Sequence, residues 1–162
     1  MIREAVLKDL KDILRIFNYN IKNTTAVYHY DERSPEEMRH WFDLKIQQGF
    51  PVIVEEMEGE VVGFATFGTY RPFRGFDKTV EHSIYVDAEY RGRGIGKKLL
   101  FALMDLAKEK RFHIMVAYID SENAVSLKIH ENAGFFYCGK IKEAGYKFEK
   151  FLDLVIMQYF LE

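Results

Sequence analysis

Residues 79–97 read T-V-E-H-S-I-Y-V-D-A-E-Y-R-G-R-G-I-G-K, and their reading decides the fold. Val80 to Val86 is an apolar, β-branched run broken by Glu81 and His82, which predicts a central strand. A polar link, Asp87 to Tyr90, leads to Gly92, Gly94 and Gly96, alternating with Arg91 and Arg93. Leu99, Leu100, Leu103, Met104 and Leu106 then recur at helical spacing. A strand, a glycine-rich turn and a helix start bring free N–H groups and the positive end of a helix dipole to one point. With two arginines alongside, that point is a cradle for a phosphate-bearing ligand. The dinucleotide pattern G-x-G-x-x-G differs: it follows the first strand of its domain, with an acid about 20 residues later. Here the spacing is G-x-G-x-G and the turn lies mid-chain.

Upstream, Pro51 to Met57 and Val61 to Tyr70 read as strands joined by a Glu58-Gly59 hairpin turn. Residues 71–78, R-P-F-R-G-F-D-K, form a loop. Ser34, Pro35 and Glu37 spell a capping box with proline at the first helical position. The helix they start carries Met38, Trp41, Phe42 and Ile46 and stops at Gly49. Leu7, Leu10, Ile13, Leu14, Phe17 and Ile21 mark an earlier amphipathic helix, after a short edge strand from Ile2 to Ala5. Val27 to Tyr30 is a short aromatic segment without a clear period. Downstream, Ile114 to Ile119 is a buried strand, and residues 120–123 turn into a helix through Val125, Leu127, Ile129 and Ala133. Phe135 to Ile141 and Leu154 to Phe160 close the chain as strands, joined by a loop over residues 142–153. The pattern is α/β (α+β): one domain over residues 1–162, a mixed sheet with helices packed on it.

The net charge of −2 gives no reason to expect nucleic acid or a membrane as partner. No stretch approaches the roughly 20 apolar residues of a membrane span. The single cysteine, Cys138, rules out an internal disulfide and reads as a small buried hydrophobe. With no signal-peptide pattern at the start, the expected compartment is the cytoplasm. No His/Cys cluster suggests a metal site.

Arg91-x-x-Gly94-x-Gly96 after a strand, opening a long helix, resembles the pyrophosphate loop of the GNAT superfamily of acetyl-CoA-dependent N-acetyltransferases. The order of elements is similar to that fold over nearly the whole chain. Asn123-x-x-Ser126, then His130-Glu131-x-x-Gly134-Phe135, resembles the family's second cofactor-side helix. T-V-E-H-S-I-Y-V, the R-P-F loop and G-Y-K-F resemble the branch that acetylates phosphinothricin, methionine sulfoximine and methionine sulfone. The resemblance implies a mostly antiparallel sheet of about seven strands with helices on both faces, acetyl-CoA as co-substrate, a small amino-acid amine as acceptor, and a homodimer.

Glu81 is a carboxylate inside an apolar strand, costly unless paired or facing a cleft. It is either a solvent-facing or arginine-paired strand residue or a general base that takes a proton from the incoming ammonium. The resemblance places the family's catalytic glutamate here. His82 faces the opposite side of the strand from Glu81; it packs, or it takes a substrate-side role. The resemblance gives His130 a share in proton transfer, against a plain hydrogen-bonded helix histidine. It assigns the cofactor to Tyr85, Val86, Arg91, Gly92, Arg93, Gly94, Ile95, Gly96, Lys97, Asn123 and Ser126, with the strand end at Tyr85 and Val86 splayed from its neighbour. Asn123 also reads as a helix cap. Arg71 and Arg74 are candidates to grip a substrate carboxylate bidentately, and Phe73 and Tyr28 to wall its side-chain pocket. The alternatives are a protein N-terminus or polyamine as acceptor, or a non-catalytic acetyl-CoA sensor.

Overall fold

The structure, a computed structural model, describes residues 1–162. Its strands are β1 (Ile2–Glu4), β2 (Val52–Met57), β3 (Glu60–Thr69), β4 (Thr79–Val86), β5 (Ile114–Asp120), β6 (Phe136–Lys147) and β7 (Lys150–Phe160). The helices are α1 (Leu10–Asn23), α2 (Pro35–Gln47), α3 (Ile95–Glu109) and α4 (Ala124–Asn132). All seven strands share one sheet in the order β1-β2-β3-β4-β5-β7-β6. Every neighbouring pair is antiparallel except β4 and β5, which are parallel and joined through α3. The expected mixed sheet is therefore present.

Each face of the sheet has its own core, because successive strand residues point to opposite sides. Val52 and Val54 of β2 join α1 and α2 through Ile13, Ile16, Met38 and Phe42. Ile53, between them, joins the larger cluster built on Leu99, Leu100, Leu103 and Met104 of α3. The α2 start forms as its sequence spells: Ser34 Oγ accepts from the Glu37 amide at 3.1 Å, and Glu37 Oε2 accepts from the Ser34 amide at 2.7 Å.

Three expectations need correction. The loop over 142–153 is mostly strand: β6 and β7 continue to Lys147 and Lys150 around a turn at Phe148 and Glu149, with φ of 51° and 59°. Cys138 is exposed, because β6 is an edge strand with β7 as its one partner. The first helix opens with a separate 3-10 turn, Leu7–Asp9, before α1. The β6–β7 hairpin also holds most of the exposed large aromatics, among them Phe136, Tyr137, Tyr146 and Phe151.

Candidate active site

The sheet forks at its centre. β4 and β5 pair only through Thr79–Ile114, Val80–Met115 and Glu81–Val116. Beyond Glu81, β4 stays bonded to β3 up to Val86, and β5 stays bonded to β7 up to Asp120. The facing edges of β4 and β5 separate, which leaves their backbone N–H and C=O groups free toward a cavity of about 720 Å³. Arg15 of α1 pairs with Asp87 and ties α1 to the end of β4.

Two histidines fill the crotch of the fork. His82 is the first residue past the last β4–β5 pair, and its Nε2 meets Nε2 of His130 from α4 at 2.9 Å. His130 Nδ1 lies 2.7 Å from the Ser126 carbonyl, which can only accept, so Nδ1 carries the proton. His130 Nε2 is then the acceptor and His82 Nε2–H the donor. His82 Nδ1 is left buried without a partner. Burial pushes His82 down to about 3, with His130 adding to it, and burial lowers His130 as well. The pair is neutral, packed against Phe135, and turned toward itself rather than toward Glu81.

The unfolded chain binds protons at these histidines from about pH 6.5 downward, while folded His82 resists until about pH 3. Stability is therefore complete above pH 6.5 and is lost as pH falls through that window. Between pH 7 and 5 the loss from His82 is about 2 kcal/mol, read as a falling urea midpoint. A His82→Phe/His130→Phe double variant should flatten that slope; an unchanged slope would assign it to other groups.

Glu81 is half-buried at the cavity wall. Burial pushes its carboxyl above the ordinary carboxylate range, and the positive charges of Arg71 and then Lys45 oppose that rise. Arg71 lines the cavity, with its guanidinium over the Tyr70 ring. Phe73 and Arg74 do not line it: they lie at the start of the exposed 3-10 turn Arg74–Phe76, and the Arg74 side chain is 99% exposed. Tyr28 lines the cavity with its ring against Gly145 of β6 and its hydroxyl buried. Lys147 holds that wall, donating to the carbonyls of Thr24 and Val27 at 2.7 and 2.6 Å.

At the far end of β4, residues 91–97 make the turn into α3. Gly92 and Gly94 both take φ of 77°, a left-handed conformation that glycine adopts without strain. The amides of residues 92–97 donate no hydrogen bond within the chain; Lys98 is the first to do so, to Gly94 O at 3.1 Å. Ile95 is buried beneath the turn, while Gly96 packs 3.8 Å from Val86 when its missing Cβ is built. Arg91 donates to Asn20 Oδ1 at 3.2 Å, Arg93 lies over Tyr90, and Lys97 lies over Phe101. Tyr85 packs its ring between Phe17 and Phe64. Asn123 caps α4 by accepting from the Ser126 amide at 3.1 Å, and both residues line the cavity.

Arg33 and Lys45 also line the cavity, and neither was singled out from sequence. Lys45 did carry a signal. Met38, Trp41, Phe42 and Lys45 fall on one stripe of α2, so the lysine faces inward with them. Arg33, just before the cap of α2, carried none.

Known proteins share both the sequence and this architecture. An L-methionine sulfoximine/L-methionine sulfone acetyltransferase from Pseudomonas aeruginosa is 43% identical over 162 residues, spanning 99% of this chain and 94% of its own. An N-acetyltransferase structure from Staphylococcus aureus superposes with a TM-score of 0.99 at 44% identity, over 100% of this chain and 98% of its own. An acetyltransferase structure from Salmonella typhimurium, solved with its cofactor acetyl-CoA, superposes with a TM-score of 0.98 at 38% identity, over 100% of this chain and 94% of its own. The sequence signature of the acetyltransferase (GNAT) family matches residues 12–135. With the forked sheet and the glycine turn where that signature lies, the chain belongs to the acetyltransferase (GNAT) family.

Proposed function

We propose that this protein transfers the acetyl group of acetyl-CoA directly to the α-amino group of a small amino acid or analogue of the methionine sulfone, methionine sulfoximine or phosphinothricin type. The observation that carries the reading is the convergence on one cavity of a half-buried carboxylate, a guanidinium and the free edge of a forked sheet. Cofactor and amine meet there in one ternary complex. The free amides of residues 92–97, with Arg91, Arg93 and Lys97 near them, suit a pyrophosphate. The open edge at Tyr85 and Val86 suits the pantetheine amides, with Asn123 and Ser126 across the fork. N–H groups near Val86 polarise the thioester carbonyl. Acetyl-CoA supplies the activated acyl group; Glu81 accepts the proton that the ammonium must lose before it attacks. The neutral His82–His130 pair props the fork open on the sheet face away from Glu81.

Arg71 is the residue that grips the substrate carboxylate. Arg33, Lys45 and Arg71 make this wall cationic, which favours an amino acid over a polyamine. Phe73 and Arg74 lie outside this cavity. We further propose a cytoplasmic, single-domain protein that pairs as a homodimer, covering the exposed aromatics of the β6–β7 hairpin.

The test is thiol release from acetyl-CoA against a panel of amino acids and amine-bearing peptides. Turnover is expected with methionine sulfone, methionine sulfoximine or phosphinothricin; turnover of peptides alone overturns the substrate assignment. Arg71→Ala is expected to raise the KM for the amino acid about tenfold or more and leave that for acetyl-CoA unchanged. Arg91→Ala should do the reverse.

A further inference from the structure

Gly68 on β3 is the register partner of Glu81 on β4. Directly opposed residues of an antiparallel pair project from the same face, with Cβ atoms about 4.5–5.5 Å apart. Glycine leaves the place beside Glu81 empty, and a side chain from a different element fills it. A Cβ built on Gly68 would lie 2.7 Å from Lys45 Nζ and 4.0 Å from its Cε. Lys45 reaches there from α2 and donates to the Phe67 carbonyl at 2.9 Å. Its ammonium thus occupies the cross-strand position that a residue at 68 would otherwise hold.

We infer that Lys45 is a positioning residue for Glu81: seated in the space left by Gly68, its ammonium steadies the Glu81 carboxylate at the cavity wall and keeps it ionised to receive the amine's proton. This rests on the reading of Glu81 as the base. It also makes Gly68 a functional residue, because a side chain at that position displaces the ammonium.

The electrostatics agree in direction. Burial pushes Lys45 down to about 8, Glu81 raises it, and the nearby Arg33 lowers it further. Arg71, from the loop after β3, acts on Glu81 more strongly than Lys45 does. From the other walls, Tyr85 and Tyr118 both feel the Glu81 charge. Arg71 and Lys45 therefore divide the work. Arg71 sits on a loop at the cavity, where the proposed substrate carboxylate would compete with Glu81 for its guanidinium. Lys45 is fixed by the Phe67 carbonyl and keeps its place in either state.

The experiment titrates the Glu81 carboxyl by ¹³C NMR in the wild type, Lys45→Met, Gly68→Ala and Lys45→Arg. The pH dependence of kcat/KM is recorded alongside, with acetyl-CoA and methionine sulfone. Gly68 is not at positive φ, so alanine fits its backbone, and the atom it meets is the far end of the Lys45 side chain, which can shift at the cost of its bond to the Phe67 carbonyl. The Glu81 pKa is expected to rise by about one unit in Lys45→Met and by less in Gly68→Ala, where the ammonium is displaced but retained. Lys45→Arg should restore most of the shift, and the acid limb of kcat/KM should follow the same order. An unchanged Glu81 pKa in both Lys45→Met and Gly68→Ala overturns the inference. A raised NMR pKa with an unmoved acid limb keeps the Lys45–Glu81 pairing and refutes Glu81 as the base.

Discussion

Glu81→Gln is expected to lower kcat at neutral pH by about 10²–10⁴-fold, with the KM for acetyl-CoA unchanged. Glutamine keeps the shape of the side chain and its hydrogen-bonding reach but cannot accept a proton. The deficit should depend on pH. At low pH the substrate amine arrives protonated and the base is indispensable; at high pH a growing share arrives already neutral, so the variant gains on the wild type. Burial holds the Glu81 carboxyl above the ordinary carboxylate range. The wild-type limb set by Glu81 should therefore lie above that range too, and in the glutamine variant it should give way to a rate that climbs with pH as the amine loses its own proton. A variant that matches the wild type across pH would remove Glu81 from the mechanism and leave it a wall residue.

The largest effect on stability is expected from Phe67→Ala. Phe67 is fully buried on the α3 side of β3, with its ring edge-on to Phe50 at 6.1 Å and to Phe112 at 5.7 Å. Phe50 and Phe112 stack on each other at 6.4 Å, so the three rings interlock, and neither neighbour can close the gap without leaving the other. Removing the ring costs about 3–5 kcal/mol, for lost transfer energy and the cavity left behind. That is a large share of the roughly 5–15 kcal/mol that holds a domain of this kind folded. A urea titration reads it directly. Phe67→Leu should recover much of the loss, and a cost below about 1 kcal/mol for the alanine variant would mean that the rings close over the gap.

Where local chemistry decides structure, the sequence was legible. The α2 capping box forms with both predicted bonds, and the Glu58-Gly59 turn adopts φ of 51° and 86°. The second hairpin carried no such sign. Phe148 and Glu149 take the same left-handed conformations without an Asn-Gly or Asp-Gly signal. β6 is interrupted by register shifts at Tyr137/Gly139 and Ile141/Gly145, which break the alternation a strand normally shows. The fork was not legible from periodicity either. The apolar run of β4 continues through Ile84 and Val86, and nothing in it says that pairing with β5 ends at Glu81; only the family resemblance anticipated it. In the R-P-F-R loop both arginines look alike in sequence. The 3-10 turn at Arg74–Phe76 separates them, leaving Arg71 at the cavity and Arg74 in solvent. Lys45 shows the reverse failure: its stripe pointed inward, but a charged residue on an apolar face was passed over.

The short β4–β5 ladder also has a mechanical side. The β3–β4 and β5–β7 ladders that flank it each run for seven residues, while β4 and β5 are bonded over three. Apart from the equally short β1 edge, the sheet is thus two stiff plates, β2 to β4 and β5 to β6, meeting at a thin seam. Sub-global opening takes the line of fewest bonds, so this molecule has a fault line that opens onto its cavity. A ligand bonded to both edges acts as a rivet across that line, and the bound protein should resist parting there more than the free one.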